Sequence, residues 1–260
     1  YGYNIDPQQD LTLIEQLKCG IRGFMLDTYV HDGKVVIQHS ADFDKFLKLG
    51  KPPTLLEMRM NEIADFLRKN KDVVVTIFYE DYVGKEVHLL DKVLEKYSDV
   101  ILKPSDWNPF DKKNKNSWPT LGWMREQGKR LILFKSDPHP STYVFASEWK
   151  YHAENNYSVT NKESCVFERS ESLKKISDRK NIPLILVFNY FSSFNALDYN
   201  ATKLGYKDSL KDVLDYAKVN GFGREEQRYK GINPTTLAVD FAEWGDALDF
   251  VRTWNTAKCK

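Results

Sequence analysis

Short, almost purely apolar runs that each stop at a polar residue leave few folds open to this chain. VVVTIFY (73–79) stops at Glu80-Asp81, LILF (131–134) at Lys135, LILVF (184–188) at Asn189 and LAV (237–239) at Asp240. Runs this apolar, with no polar alternation, are strands covered on both faces, as in a largely parallel sheet flanked by helices. Segments with helical spacing lie between them, so the order is strand, helix, strand, helix. The expected fold is α/β, a distorted TIM-type (β/α) barrel in a single domain spanning residues 1–260.

The local signals fit that order. Asp10 is a candidate cap for a helix from Leu11 to Cys19, and Gly20 is its stop. The run GFMLDTYV (23–30), then Asp32-Gly33, then KVVIQHS (34–40) reads as a β-hairpin. Thr54 and Glu57 have capping-box spacing, and Leu56, Met60, Ile63 and Leu67 form an apolar stripe behind them. A strand is expected over 72–81, a helix over 86–97, a long polar connection over 103–119 and a helix over 120–127. Further strands are expected over 129–136, 183–191 and 237–241, with helices near 208–219 and 246–254. Residues 151–182 are polar with little periodicity and read as a long excursion over the barrel mouth.

Composition removes several function classes. Thirty-eight basic residues against thirty-seven acidic give a net charge of +1, and no basic tract with interleaved aromatics is present, so a nucleic-acid partner is not expected. The longest apolar runs are far short of the roughly 18–20 residues that cross a bilayer. Three cysteines, Cys19, Cys165 and Cys259, exclude a disulfide scaffold and lack zinc-site spacing. One bridge plus one free thiol remains open.

Strand ends carry the functional signal. All strand carboxyl ends of a parallel barrel open on one face. One polar residue there is an ordinary turn or cap. Glu80, Lys135, Asn189 and Asp240, joined by Asp27 on its strand and by His39 at the end of VVIQ, would converge on one pocket holding metal ligands, a proton shuttle and an anion contact. Of the five histidines, only His39 is delivered by a strand. His31 falls in the hairpin turn, while His88, His139 and His152 are expected on helices or loops without obvious partners.

GIRGFMLDTY (20–29), VVIQHS (35–40), FLRKNKDVVVTIFYEDYV (66–83), WPTLGWM with GKRLILFKS (118–136), LVFNYF (186–191) and TLAVDF (236–241) resemble the phosphatidylinositol-specific phospholipase C X-domain superfamily. SCVFERSES (164–172) is similar to a Ser-Cys-x-x-Arg-x-Glu-Ser segment of its small single-domain members. The resemblance implies cleavage of the phosphodiester of phosphatidylinositol or a related glycolipid, by attack of the inositol 2-hydroxyl. Two histidines act in that chemistry, and His39 matches the one that protonates the leaving diacylglycerol oxygen. Asp27 and Glu80 match calcium ligands of the metal-dependent branch, and Lys135 matches a phosphate-contacting lysine. Asn189 and Asp240 are expected to face the substrate.

Calcium suits such a site better than magnesium, because it accepts six to eight oxygen donors in flexible geometry. Met25 stands where calcium-dependent members carry a further carboxylate, which thins the ligand set. The family's first histidine lies in a Thr-His-Asn-Ser-like strand ahead of the segment that here begins YGYNIDPQQ, and the expectation is an opening strand upstream of Tyr1. The alternatives are a glycerophosphodiesterase- or sphingomyelinase-type enzyme, or a non-catalytic protein that binds lipid headgroups. The remaining expectations are a monomer, secretion with transient contact at a membrane surface, and lipid-interface insertion or loop packing for Trp107, Trp118 and Trp123. Asn156 and Asn200 head acceptor sequons for glycosylation.

Overall fold

The computed structural model describes residues 11–38, 53–115, 117–155, 167–169, 185–189, 235–239 and 247–258. His39, Asp240, Asp10, Cys165, Cys259, both sequons, the helix expected near 208–219 and everything ahead of residue 11 lie outside the described residues.

The first helix, α1 (Leu13–Cys19), starts two residues later than the Asp10 cap would set it. Thr12 caps it instead. Its hydroxyl accepts from the Glu15 amide while the Glu15 carboxylate accepts from the Thr12 amide at 2.8 Å, a reciprocal capping box. Gly20 closes the helix at φ 106°, a left-handed conformation that side chains with a Cβ rarely take. The hairpin forms as expected: β1 (Gly23–His31) and β2 (Lys34–Ile37) run antiparallel, with Asp32 and Gly33 at φ 49° and 68° between them. Two successive positive φ values make the primed turn whose twist matches that of the flanking strands.

Thr54 does not cap the next helix. Thr54 and Leu55 form β3 (Thr54–Leu55), paired with β2, so their backbones serve the sheet and α2 (Leu56–Lys69) begins without a side-chain cap. Glu57 takes the ammonium of Lys96 at 2.5 Å instead. The apolar stripe is as expected: Leu56, Met60, Ile63 and Leu67 are all buried. The Arg130 guanidinium, itself buried, donates to the carbonyls of Leu67 and Asn70 and ties off the end of α2.

Beyond α2 come β4 (Val75–Asp81), α3 (Val87–Leu94), β5 (Ile101–Leu102), α4 (Leu121–Gln127), β6 (Leu131–Lys135) and β7 (Phe145–Ala146). They are followed by β8 (His152–Asn155), β9 (Phe167–Arg169), β10 (Ile185–Asn189), β11 (Thr236–Ala238) and α5 (Ala247–Lys258). The excursion expected over 151–182 thus contains two strands among its described residues. One sheet has the order β3-β2-β1-β4-β6-β5, with β7 also paired to β6, and the other has the order β11-β10-β8-β9. The strands β1, β4, β6, β5 and β7 are parallel, as are β8, β10 and β11.

Register sorts the side chains into two layers, because in-register neighbours share a face. Val75, Ile77 and Tyr79 with Leu131 and Leu133 pack against the helices, together with Met60, Ile63, Leu67, Leu90 and Leu94. Phe78, Ile132 and Phe134 turn the other way and form a second core with Val187 of the other sheet. The two sheets curve round that common interior: Phe78 meets the His152 ring edge-on at 5.2 Å, and a Cβ on Gly23 would lie 3.8 Å from Thr236 Cγ2. This is the covered α/β arrangement that the apolar runs imply.

The tryptophans take the packing role. Trp118 meets Phe134 and Phe145 edge-on at 5.4 and 5.1 Å, and Trp107 lies 5.0 Å from Trp123. Arg125 of α4 donates to the Asp72 carbonyl, just ahead of β4.

Candidate active site

Asp27 and Glu80 are brought together. They are Cα partners on the adjacent parallel strands β1 and β4, one pair before the end of the parallel ladder and on the interior face. Glu80 is exposed and Asp27 half-buried, so both can meet a ligand. Two residues beyond each acid stands a tyrosine, Tyr29 within β1 and Tyr82 one residue past β4, on the same face because side chains alternate with a period of two. The Tyr29 and Tyr82 rings stack at 4.7 Å, only 6° from parallel, and Tyr82 Oη donates to Glu80 Oε1 at 2.6 Å. That length is typical of a hydroxyl bound to an ionised carboxylate. The hydrogen bond to Glu80, then burial and the two carboxylate charges, push the Tyr82 hydroxyl far above its ordinary value. Burial and then the same two charges raise Tyr29.

Lys135 is not part of this group, contrary to the expected phosphate contact. It shares its face with Leu131 and Leu133, on the helix side of the sheet, and is fully buried. Its ammonium lies 3.0 Å from Asp81 and 3.0 Å from Asp137. Asp81 also accepts from Thr28 Oγ1 at 2.9 Å and from the Val83 amide at 3.0 Å. Asp137 accepts from the His139 amide and lies 2.7 Å from His139 Nδ1, so His139 does have a partner. The strand-end position of Lys135 is as expected, but residue parity turns the side chain to the other face.

Asn189 is buried in the interior, on the face it shares with Val187. His152 is not on a loop but opens β8, buried, with Nε2 3.9 Å from Glu154 Oε2 and its ring against Phe78 and Trp149. Nothing in the polar segment around it marks His152 as a strand residue. The tyrosines were legible in principle, since Asp27-x-Tyr29 and Glu80-x-Tyr82 repeat one spacing on paired strands. Gln38, the last described residue before His39, donates its amide to the Asp27 carbonyl at 3.3 Å. Met25, on the Asp27 face, is 44% exposed and offers a thioether rather than a hard oxygen. Cys19 is a free, exposed thiol.

Two carboxylates on neighbouring strands match the hard oxygen donors that calcium takes. They would fill part of its shell, and among the described residues no group of three or more His, Cys, Asp or Glu could hold a metal ion.

Parallel strands curved round an aromatic interior, with an acidic pair on two neighbouring strands, make a barrel-like α/β fold. Residues 1–255 match the family model PI-PLC X 1, and the chain belongs to that family. A PI-PLC X domain-containing protein of Arabidopsis thaliana is 30% identical over 158 residues, covering 56% of this chain and 34% of that protein. PI-PLC X domain-containing protein 1 of Arthroderma benhamiae is 24% identical over 272 residues, covering 98% of this chain and 80% of that protein. An uncharacterized secreted protein of the same fungus is 26% identical and covers 69% of this chain, which spans 39% of its length. The chain thus spans about a third of the Arabidopsis relative it matches.

Among solved structures, the phosphatidylinositol-specific phospholipase C of Listeria monocytogenes superposes with a TM-score of 0.52 at 16% identity, over 90% of this chain and 79% of that one. That of Staphylococcus aureus gives 0.52 at 14% identity, over 93% and 82%. These likenesses establish the barrel-like fold. No helix among the described residues is long and apolar enough to cross a membrane.

Proposed function

We propose that this protein cleaves the phosphodiester of phosphatidylinositol or a related glycolipid at a membrane surface, outside the cell, with Asp27 and Glu80 as a calcium-binding pair. The observation that carries this reading is the in-register pairing of the two acids on the interior face, one pair before the parallel ladder ends. Family membership favours an inositol-lipid substrate, and the secreted fungal relative favours an extracellular location.

A bound calcium ion would supply a lower pKa for the attacking inositol hydroxyl and offset negative charge on the phosphorane. The chain's part is to hold two ionised carboxylates at a fixed spacing, one from each strand. Ladder hydrogen bonds fix the two backbones, and Tyr82 fixes one of the two side chains. His39 is the proposed acid for the leaving diacylglycerol oxygen, and Asn189 and Asp240 the proposed polar contacts to the inositol. Lys135 has no place in this proposal.

The test is to incubate the full protein with phosphatidylinositol vesicles and follow products by phosphorus NMR. Cyclic inositol phosphate that appears with calcium and disappears with chelator is the expected result, together with its loss in His39→Ala. Glycerol phosphate as product would instead favour a glycerophosphodiesterase. Headgroup binding without turnover would mark a non-catalytic relative.

A further inference from the structure

We infer that Tyr82 is a positioning residue for Glu80, seated by its stack on Tyr29; this rests on the reading of Asp27 and Glu80 as the calcium-binding pair. The geometry begins in the backbone. Thr28 pairs with Asp81, and the Tyr82 amide donates to the Thr28 carbonyl at 2.9 Å, one residue beyond the last ladder pair. The two strands therefore stay parallel past the acids, and Tyr29 and Tyr82 come face to face directly beyond Asp27 and Glu80.

An exposed glutamate has three side-chain torsions and no reason to hold one orientation. Here the Tyr82 hydroxyl takes Oε1, which fixes the carboxylate plane and leaves Oε2 for a ligand. The phenol cannot swing away without breaking its near-parallel stack on Tyr29. Tyr82 is itself 53% exposed and belongs to neither buried core. Its ring and hydroxyl thus serve the acid pair rather than the fold. Glu80 accordingly binds a cation through one oxygen, and its aim depends on a tyrosine that never touches the ion.

The experiment compares wild type, Tyr82→Phe, Glu80→Gln and Glu80→Asp by calcium calorimetry, thermal unfolding and steady-state cleavage of phosphatidylinositol. Phenylalanine keeps the stack and removes only the hydroxyl. The expected result for Tyr82→Phe is calcium affinity lowered about tenfold, the usual cost of losing an outer partner of a ligand. The unfolding midpoint should not move, and kcat should fall while KM for the lipid stays unchanged. Glu80→Asp shortens the side chain out of reach of the hydroxyl, so adding Tyr82→Phe to it should cost nothing more. Additive losses in that pair overturn the inference, as does unchanged calcium affinity in Tyr82→Phe when wild type binds and Glu80→Gln does not. Wild-type protein that takes up no calcium at millimolar concentration overturns the cation reading itself, and this role for Tyr82 with it. The wild-type titration therefore tells the two failures apart.

Discussion

Asp27 and Thr28 are neighbours, as are Glu80 and Asp81, yet the two pairs live in different chemical worlds. On the interior face, Asp27 and Glu80 stand near the end of the parallel ladder with water access, beside two stacked tyrosines. On the helix-side face, Thr28 and Asp81 are buried; Thr28 donates to Asp81, and Asp81 takes the ammonium of Lys135, which reaches on to Asp137 and so to His139. One face presents carboxylates, and the other spends its carboxylates on an internal cation. The difference comes from a single step along a strand with a two-residue period. Whether an acid faces the interior or the buried ion network thus follows parity, not charge.

Variants on the two faces should therefore fail differently. Lys135→Met leaves the buried Asp81 and the part-buried Asp137 without their cation, and loss of one partner from a buried pair costs about 3–5 kcal/mol; urea unfolding would show a large drop in midpoint. Glu80→Gln is expected to change stability by no more than about 0.5 kcal/mol, as for exposed positions, while abolishing calcium uptake by calorimetry. A Glu80→Gln protein that unfolds as early as Lys135→Met would erase the contrast. Thr28→Val removes one donor to the buried Asp81 carboxylate while keeping shape, at a cost of about 1.5–3 kcal/mol for a hydrogen bond to a charged group, again with calcium uptake intact.

The smallest effect is in acid. Burial of Asp137 opposes its ionisation, but the His139 amide, the Lys135 ammonium and the His139 ring outweigh it and hold the carboxyl below its ordinary value. A carboxylate depressed in the native state stabilises fully above the unfolded value, about 3.9, and that stability is lost as pH falls through the lower native value. Asp137→Asn should therefore flatten the pH dependence of unfolding below about pH 4, and an unchanged slope would remove Asp137 from the acid response.

Much of the strand order was readable because burial on both faces leaves apolar runs that nothing else explains. The hairpin at Asp32-Gly33 and the stripe from Leu56 to Leu67 were equally readable, since turn chemistry and helical periodicity act within a few residues. Local signals misled where a competitor lay close by. Thr12 displaced Asp10 because only Thr12 has a glutamate three residues on to complete the reciprocal bond. Thr54 lost its cap role because β2 claimed its backbone.

By itself, the sequence determined which residues are strand ends and which acids could meet, because apolar runs and chain order are local and additive. Tertiary structure alone decided that Asp27 and Glu80 share a face with two stacked tyrosines, that Lys135 turns away into an ion network, and that His152 is buried inside the barrel. Those outcomes depend on the register between strands far apart in sequence. A shift of one residue between two strands reverses every facing, and no pattern within either strand alone records it.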